Sequence, residues 1–136
     1  MRGRKPELKI VSTNETPTRS PRAPATLGDV GKAEWRKVCP MLAHGGLLNE
    51  QMKSLLTMYC EAIEGAAECA QILKKQGRII TAKGLPPKAH PAVRQQLQYQ
   101  TMALRYAESL GITATGKARN DKAKANAGNT TTSVFD

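Results

Sequence analysis

The fold of this chain is decided by residues 48–73, which read LNEQMKSLLTMYCEAIEGAAECAQIL. Apolar and small residues recur there at alternating steps of four and three, at Leu48, Met52, Leu55, Tyr59, Ala62, Ala66, Cys69 and Leu73. A mean period of 3.5 residues places all of them on one stripe of an α-helix, as in helices that pack lengthwise on another helix. The stretch predicts one helix from Asn49 to Gln76, about 42 Å long. Such a helix requires a partner in the same chain, in another copy, or in both.

The residues before this stretch predict a shorter helix. Asp29 is expected to cap its start, and the single tryptophan, Trp35, is expected to anchor it on the long helix. Pro40 should kink or restart it, because proline lacks the amide donor that the helix needs. Gly45-Gly46 should end it. Two helices around a glycine turn also fit a helix-turn-helix, but Glu50 and its neighbours are poor base-reading residues, so a helical hairpin is favoured.

The residues after the stretch predict a short excursion and then a last helix. Gly77 is expected to end the long helix, and residues 78–87 read as a short strand followed by a turn. Pro91 is expected to start a helix that runs to Leu110 and ends at Gly111. Glu61, Glu64 and Glu68 on the long helix form an acidic row, interpreted as its solvated face or as a partner for Arg94 or Arg105 of a neighbouring subunit.

The charge is concentrated at the ends of the chain. The net charge is +10, and residues 1–22 hold six Lys or Arg against two acids. Basic ends on a mixed-charge core favour a polyanionic partner, with nucleic acid as the first candidate and a merely solubilising tail as the alternative. Arg-Gly-Arg at residues 2–4 resembles peptides that lie in the minor groove of A·T-rich DNA. The candidate DNA-binding residues are Arg2, Arg4, Lys5, Lys9, Arg19 and Arg22, with Arg36 and Lys37 as secondary contacts.

These patterns predict an all-α fold with three segments. Residues 1–26 are expected to form a disordered basic arm, because they are proline-rich and poor in large apolar residues. Residues 27–113 are expected to form a helical oligomerisation and DNA-binding core, a hairpin with a long central helix and the excursion at about 78–87. Residues 114–136 are expected to form a flexible basic tail. A core this small favours a homo-oligomer, with the stripe of residues 48–73 as the oligomerisation surface.

Catalytic and metal-binding patterns are missing from the sequence. No glycine-rich phosphate loop follows a strand, and His44 lies five residues after Cys39, a spacing that common zinc sites do not use. We therefore expect no catalytic residue, no metal, no cofactor and no enzymatic activity. The three cysteines have no paired spacing, no signal peptide is recognisable, and no apolar run is long enough for a bilayer. We expect a reducing cytoplasm and no membrane contact.

The order of several short features resembles one known family. The features are Arg2-Gly3-Arg4-Lys5-Pro6, Glu34-Trp35-Arg36 with Pro40, Gly46-Leu47-Leu48, Tyr59-Cys60, Gly77 before the strand, His90-Pro91, Leu110-Gly111-Ile112-Thr113, and Lys117-Ala118-Arg119. In this order and spacing, the chain resembles the small terminase subunit of tailed bacteriophages, in the P27-like family. It departs from the family pattern at Met52, His90 and Ala114.

The resemblance implies a non-enzymatic factor for viral DNA packaging. Such proteins are ring-shaped homo-oligomers of helical hairpins that bind double-stranded viral DNA in the host cell cytoplasm. They deliver the DNA to the large terminase subunit, which holds the ATPase and the nuclease. A segment of this chain from Lys117 to Asp136 is a candidate for binding the large subunit by folding on contact. The alternatives are a small basic transcription regulator and a protein-interaction scaffold without enzymatic activity.

Overall fold

The computed structural model describes residues 20–129, which are mostly helical. Its elements in chain order are α1 (Asp29–His44), α2 (Glu50–Gln76), β1 (Ile79–Ile80), β2 (Lys88–Ala89), α3 (Pro91–Leu110) and α4 (Ala114–Asn129). The two strands pair antiparallel as a small ribbon between α2 and α3. The predicted all-α class, with a long central helix and an excursion at about 78–87, is confirmed.

The long helix α2 has the limits that its end residues predict. The Asn49 side chain accepts a hydrogen bond from the Met52 amide at 2.8 Å, which satisfies a donor that the first helical turn leaves free. Gly77 ends the helix with a φ of +82°, a conformation that glycine adopts without the steric cost of a side chain. Its 27 residues make α2 about 40 Å long, so one helix spans the body of the protein.

The partner helices of α2 come from the same chain. Its C-terminal half packs against α3, and its N-terminal half packs against both α1 and α3. In the predicted stripe, Tyr59, Ala62, Cys69 and Leu73 are buried in the single chain, whereas Leu48, Met52, Leu55 and Ala66 are half-buried. The stripe is thus largely satisfied within one chain, and its half-buried members remain available to another copy.

The structure corrects two expectations about α1. Of the two outcomes expected at Pro40, a kink or a restart, the restart is wrong: the helix continues through Pro40 to His44, because Trp35, Val38 and Leu42 on both sides of the proline hold one face in the core. Its N-cap is Gly28 rather than Asp29, and no local side chain caps it. The missing cap comes from α2, where the Glu64 carboxylate accepts a hydrogen bond from the Gly28 amide at 3.0 Å.

This contact also corrects the interpretation of the acidic row. Glu61 and Glu68 are exposed, as expected of a solvated face, but Glu64 is half-buried against the start of α1. A carboxylate is stabilised there by the free amides and by the helix dipole. Glu64 therefore joins α1 to α2, a role that helical periodicity alone does not reveal.

The α2–α3 hairpin is closed at its far end by the ribbon and by His90. The β1–β2 ladder pairs Ile79 with Ala89 and Ile80 with Lys88. His90 caps α3 by accepting from the Ala92 amide through Nδ1 at 3.0 Å, and its Nε2 lies 2.8 Å from Oε1 of Gln76 at the end of α2. Since Nδ1 accepts, Nε2 carries the proton and donates to the glutamine. One side chain thus connects the two helices beside the ribbon.

Residues 114–129 differ from the prediction. They form the helix α4, so the expectation of a segment without regular structure is wrong for this range. The Thr113 hydroxyl accepts from the Gly116 amide at 3.1 Å as an N-cap, and alanine and lysine, which dominate α4, favour helix strongly. Gly116 is buried against the Glu108 carbonyl, where a Cβ would overlap it. The absence of large apolar residues, which suggested disorder, leaves α4 exposed but does not prevent it from forming.

Candidate nucleic-acid interface

The predicted DNA-binding residues divide into two groups. Arg2, Arg4, Lys5, Lys9 and Arg19 lie outside the described residues. Arg22, Arg36 and Lys37 are all exposed, the first just before α1 and the others on it. The structure therefore describes the basic arm only from Ser20 onwards.

Arg22 and Arg36 line the same cleft. The segment from Ser20 to Ala23 lies along α1 and encloses a cleft of about 390 Å³, to which Lys32 also contributes. We call the surface formed by Arg22, Lys32 and Arg36 the basic cleft. Lys32 was not among the predicted DNA-binding residues, although it precedes Arg36 by four residues and therefore shares its helix face. Three cations around one concave surface suit a phosphate-bearing ligand.

Trp35 holds the basic cleft in shape. Its indole Nε1 donates to the Pro21 carbonyl at 3.0 Å, so the segment before α1 is attached to the helix. The ring is only 3% exposed and belongs to the main core. The predicted anchoring role of this tryptophan therefore includes a second contact, with the extended segment that carries Arg22.

Lys37 forms an ion pair with Glu34 and does not line the basic cleft. Its ammonium lies 3.2 Å from the Glu34 carboxylate, which also accepts a hydrogen bond from the Tyr59 hydroxyl at 3.0 Å. Burial, that hydrogen bond and the negative charge of Glu34 raise the pKa of Tyr59 to about 12. Lys37 thus balances a carboxylate that has a structural contact in α2, and it contributes less to the basic surface than Arg36 does.

Two grooves lined mostly by apolar side chains, here called the apolar grooves, lie along the contact between α2 and α3. One, of about 250 Å³, is lined by Met58, Glu61, Ala62, Tyr99, Met102 and Tyr106. The other, of about 290 Å³, is lined by Tyr59, Ile63, Ala66, Gln100, Ala103, Leu104 and Ala107. Met58 is 48% exposed in the first and Leu104 is 56% exposed in the second. Large apolar side chains grouped in this way on a small protein mark surfaces for association.

A family model described as the small subunit of phage terminase matches residues 31–127. The chain belongs to the phage terminase small subunit family. No curated protein and no solved structure matches it. The match confirms the resemblance to the phage terminase small subunit and extends from α1 into α4, while the P27-like assignment within that family stays a prediction. It includes both apolar grooves and, in the basic cleft, Lys32 and Arg36. The family gives this terminase small subunit a role in phage DNA packaging.

Two of the three thiols of this terminase small subunit, those of Cys39 and Cys60, are poorly suited to nucleophilic chemistry. Cys39 and Cys60 are fully buried in the main core. Burial, followed by the charge of Glu34, raises the pKa of Cys60 to about 12, and burial also raises the pKa of Cys39. A thiol kept protonated is a poor nucleophile and a poor metal ligand. Within residues 20–129, no group of three or more His, Cys, Asp or Glu is arranged to hold a metal ion, and none of the helices is long and apolar enough to cross a membrane.

Proposed function

We propose that this terminase small subunit binds double-stranded viral DNA as a ring-shaped homo-oligomer and delivers it to the large terminase subunit. The observation that carries the proposal is the basic cleft. It lies where the basic first segment of the chain joins the helical body, which matches the terminase small subunit family. The small subunit itself is proposed to be non-enzymatic, without metal or cofactor, and to act in the host cell cytoplasm.

The apolar grooves support the ring. The two grooves have different lining residues, and in the proposed ring each would receive an unlike surface of a neighbouring copy. Contacts between unlike surfaces are heterologous, and they produce rings when the rotation between copies closes. Met52, Leu55 and Ala66 of the predicted oligomerisation stripe are only half-buried in the single chain and would gain cover in such an assembly.

DNA binding is assigned to the basic arm together with the basic cleft. Arg22 and Arg36 line the basic cleft, and the sequence adds Arg2, Arg4 and Lys5 earlier in the same chain. Phosphate contacts of this kind are individually weak and nearly independent of sequence. A ring would present many copies of the arm to one duplex, which raises the overall affinity without a strong single contact.

The large terminase subunit is proposed to bind the C-terminal segment, residues 117–136. In residues 114–129 this segment is already helical, so the contact would involve a formed helix rather than a segment that folds on binding. A pull-down of the large subunit with a chain truncated after Gly116 tests this role. Unchanged capture would contradict it.

Two measurements test the main proposal. Light scattering on a sizing column should give a closed species of many copies, and a clean monomer or dimer would contradict the ring. Replacing Arg2, Arg4, Lys5, Lys9 and Arg19 by glutamine keeps the Pro21 contact with Trp35 intact. This variant should bind duplex DNA far more weakly, with a salt dependence lowered by about 0.9 for each lost phosphate contact. Unchanged affinity at moderate salt would refute the assignment of the arm.

A further inference from the structure

The end of the α2–α3 hairpin holds a second concentration of positive charge. No Asp or Glu occurs between Glu68 and Glu108, and residues 74–94 contain Lys74, Lys75, Arg78, Lys83, Lys88 and Arg94. All of these cations are exposed. In the described part of the chain, the two ion pairs are Lys37–Glu34 and Lys53–Glu50, and neither lies at this end. We call residues 74–94 the basic tip.

The basic tip extends beyond the rest of the body. The start of α1 reaches α2 at Glu64, which accepts from the Gly28 amide. The helix α2 continues for twelve residues beyond Glu64, to Gln76, or about 18 Å at 1.5 Å per residue. That half of α2 packs on α3 through Cys69, Leu73 and Ala92. The hairpin therefore ends in a narrow element that an extended partner can reach.

The ribbon at the basic tip is well ordered by hydrogen bonds. The His90 amide donates to the Arg78 carbonyl at 2.8 Å, next to the β1–β2 ladder. At the other end, the Leu85 amide donates to the Ala82 carbonyl at 3.1 Å and closes a turn in which Gly84 has a φ of +83°. Lys83 lies within this turn. The ribbon thus presents a lysine at its apex, with Arg78 and Lys88 nearer its base.

The apolar residues of the ribbon are exposed as well. Ile79 is 64% exposed and Leu85 is 62% exposed. Large apolar side chains grouped on an exposed surface are typical of contact surfaces. Double-stranded DNA offers both phosphates for the cations and a groove for the ribbon. Its major groove, about 12 Å wide, admits a two-stranded β-ribbon.

We propose that the basic tip is a second duplex-DNA contact of this chain, in which Arg78, Lys83 and Lys88 bind phosphates and the turn at Ala82–Leu85 enters a groove. This inference rests on the proposed function, since it assumes that the terminase small subunit binds duplex DNA. The charge pattern favours DNA over an acidic protein, because Lys is depleted at protein–protein interfaces. Lys and Arg without intervening acids are typical of phosphate contacts.

The test compares two variants of the full chain with equal charge change. The first is R78Q/K83Q/K88Q. The control, Q51E/S54E/R105Q, lowers the net charge by the same three units at exposed positions of α2 and α3 that lie outside the basic tip, the basic cleft and residues 117–136. Binding of a duplex oligonucleotide is measured by filter retention over a series of salt concentrations, after circular dichroism and native mass show that both variants match the wild type. The first variant should bind at least about tenfold more weakly, with a salt slope lowered by about 2 to 3. The control should stay close to the wild type.

Each other outcome overturns a defined part of the argument. If wild type and R78Q/K83Q/K88Q bind the duplex equally with equal salt slopes, the inference is wrong while the proposed function stands. An equal loss in the control also overturns it, because the effect then comes from net charge. If the wild type binds no duplex at low salt, the proposed function and the inference both fail. If the first variant loses capture of the large subunit but keeps DNA affinity, the basic tip is a protein contact and the inference is wrong.

Discussion

Replacing Glu64 by alanine should destabilise the fold through the start of α1. This carboxylate accepts from the Gly28 amide at 3.0 Å, and α1 has no side-chain cap of its own. Its removal leaves the first turn of α1 without a negative charge from α2. The nearest comparable residue is Glu61, which lies one turn earlier on α2 and is exposed.

The magnitude follows from the interactions that Glu64 makes. Loss of an N-cap side chain costs about 0.5 to 2 kcal/mol, and loss of a hydrogen bond to a charged group costs about 1.5 to 3 kcal/mol. Both figures describe the same contact, so they are not summed. We expect E64A to lower the free energy of unfolding by about 1.5 to 2 kcal/mol. E61A should change it by no more than about 0.5 kcal/mol.

A second substitution isolates the contact. A Cβ added at Gly28 would overlap the Glu64 carboxylate, although the backbone there, with a φ of −76°, accepts alanine without strain. The G28A variant should therefore displace the carboxylate and destabilise the protein. In the E64A background the same change should cost much less, giving a coupling free energy above about 0.5 kcal/mol.

Urea unfolding followed by circular dichroism measures all four variants against the wild type. Protein concentration must be equal in every sample, because an oligomer's stability depends on it. If E64A and E61A lower the free energy of unfolding equally, Glu64 is only part of the solvated face. Additive effects of G28A and E64A would likewise show that the two residues do not interact.

Three further predictions concern the core, alkaline pH and α4. L110A should lower the free energy of unfolding by about 2 to 5 kcal/mol in urea titrations, because Leu110 is fully buried. The pKa values of Tyr59 and Cys60 are raised to about 12 in the folded protein, from about 10 and 9 in the unfolded chain. The stability that these two groups contribute is therefore complete below their unfolded pKa values and is lost as the pH rises towards 12. Unfolding midpoints measured from pH 8 upwards should fall accordingly, and less so in Y59F. G116A should separate α4 from α3, which hydrogen exchange would show as lost protection in α4 alone.

Each of these has a control. The exposed Leu85 should tolerate alanine within about 0.5 kcal/mol, and an equal loss in L85A would contradict the assignment of the core. A midpoint that stays level or rises from pH 9 to 11 would contradict the alkaline prediction. For α4, A125G weakens the helix without the overlap at the Glu108 carbonyl. Equal exchange of α4 in G116A and the wild type would show that the glycine contact does not hold the helix.

Much of the fold is visible in the sequence because its signals are local. The limits of α2 follow from the Asn49 cap and Gly77, and those of α3 follow from Pro91 and Gly111. The 3.5-residue period identified the stripe that α1 and α3 cover. The period does not show which helix packs on which part of the stripe. It therefore cannot tell contacts within one chain from contacts between two chains.

The errors occurred where a contact between distant residues decides the structure. Glu64 caps α1 from 36 positions away, so no local pattern marks Gly28 as the N-cap. The helix α4 was not predicted because the expectation rested on burial, whereas α4 has the Thr113 cap, several alanine and lysine residues, and the close fit of Gly116 on α3. Lys32 was missed for another reason. Most of the net positive charge lies at the ends of the chain, and the total charge does not show that Lys32 shares a helix face with Arg36.

The contact between Trp35 and Pro21 has an optical consequence. Trp35 is the single tryptophan of the chain, so fluorescence excited at the red edge of its absorption comes from one position. That position is the junction between the basic arm and the helical body, where the indole donates to the Pro21 carbonyl beside Arg22 and Arg36. The polarity around this indole changes when a ligand fills the basic cleft. It also changes when residues 20–23 are pulled away from α1. The protein thus carries an intrinsic, label-free reporter at the place where its arm would engage DNA.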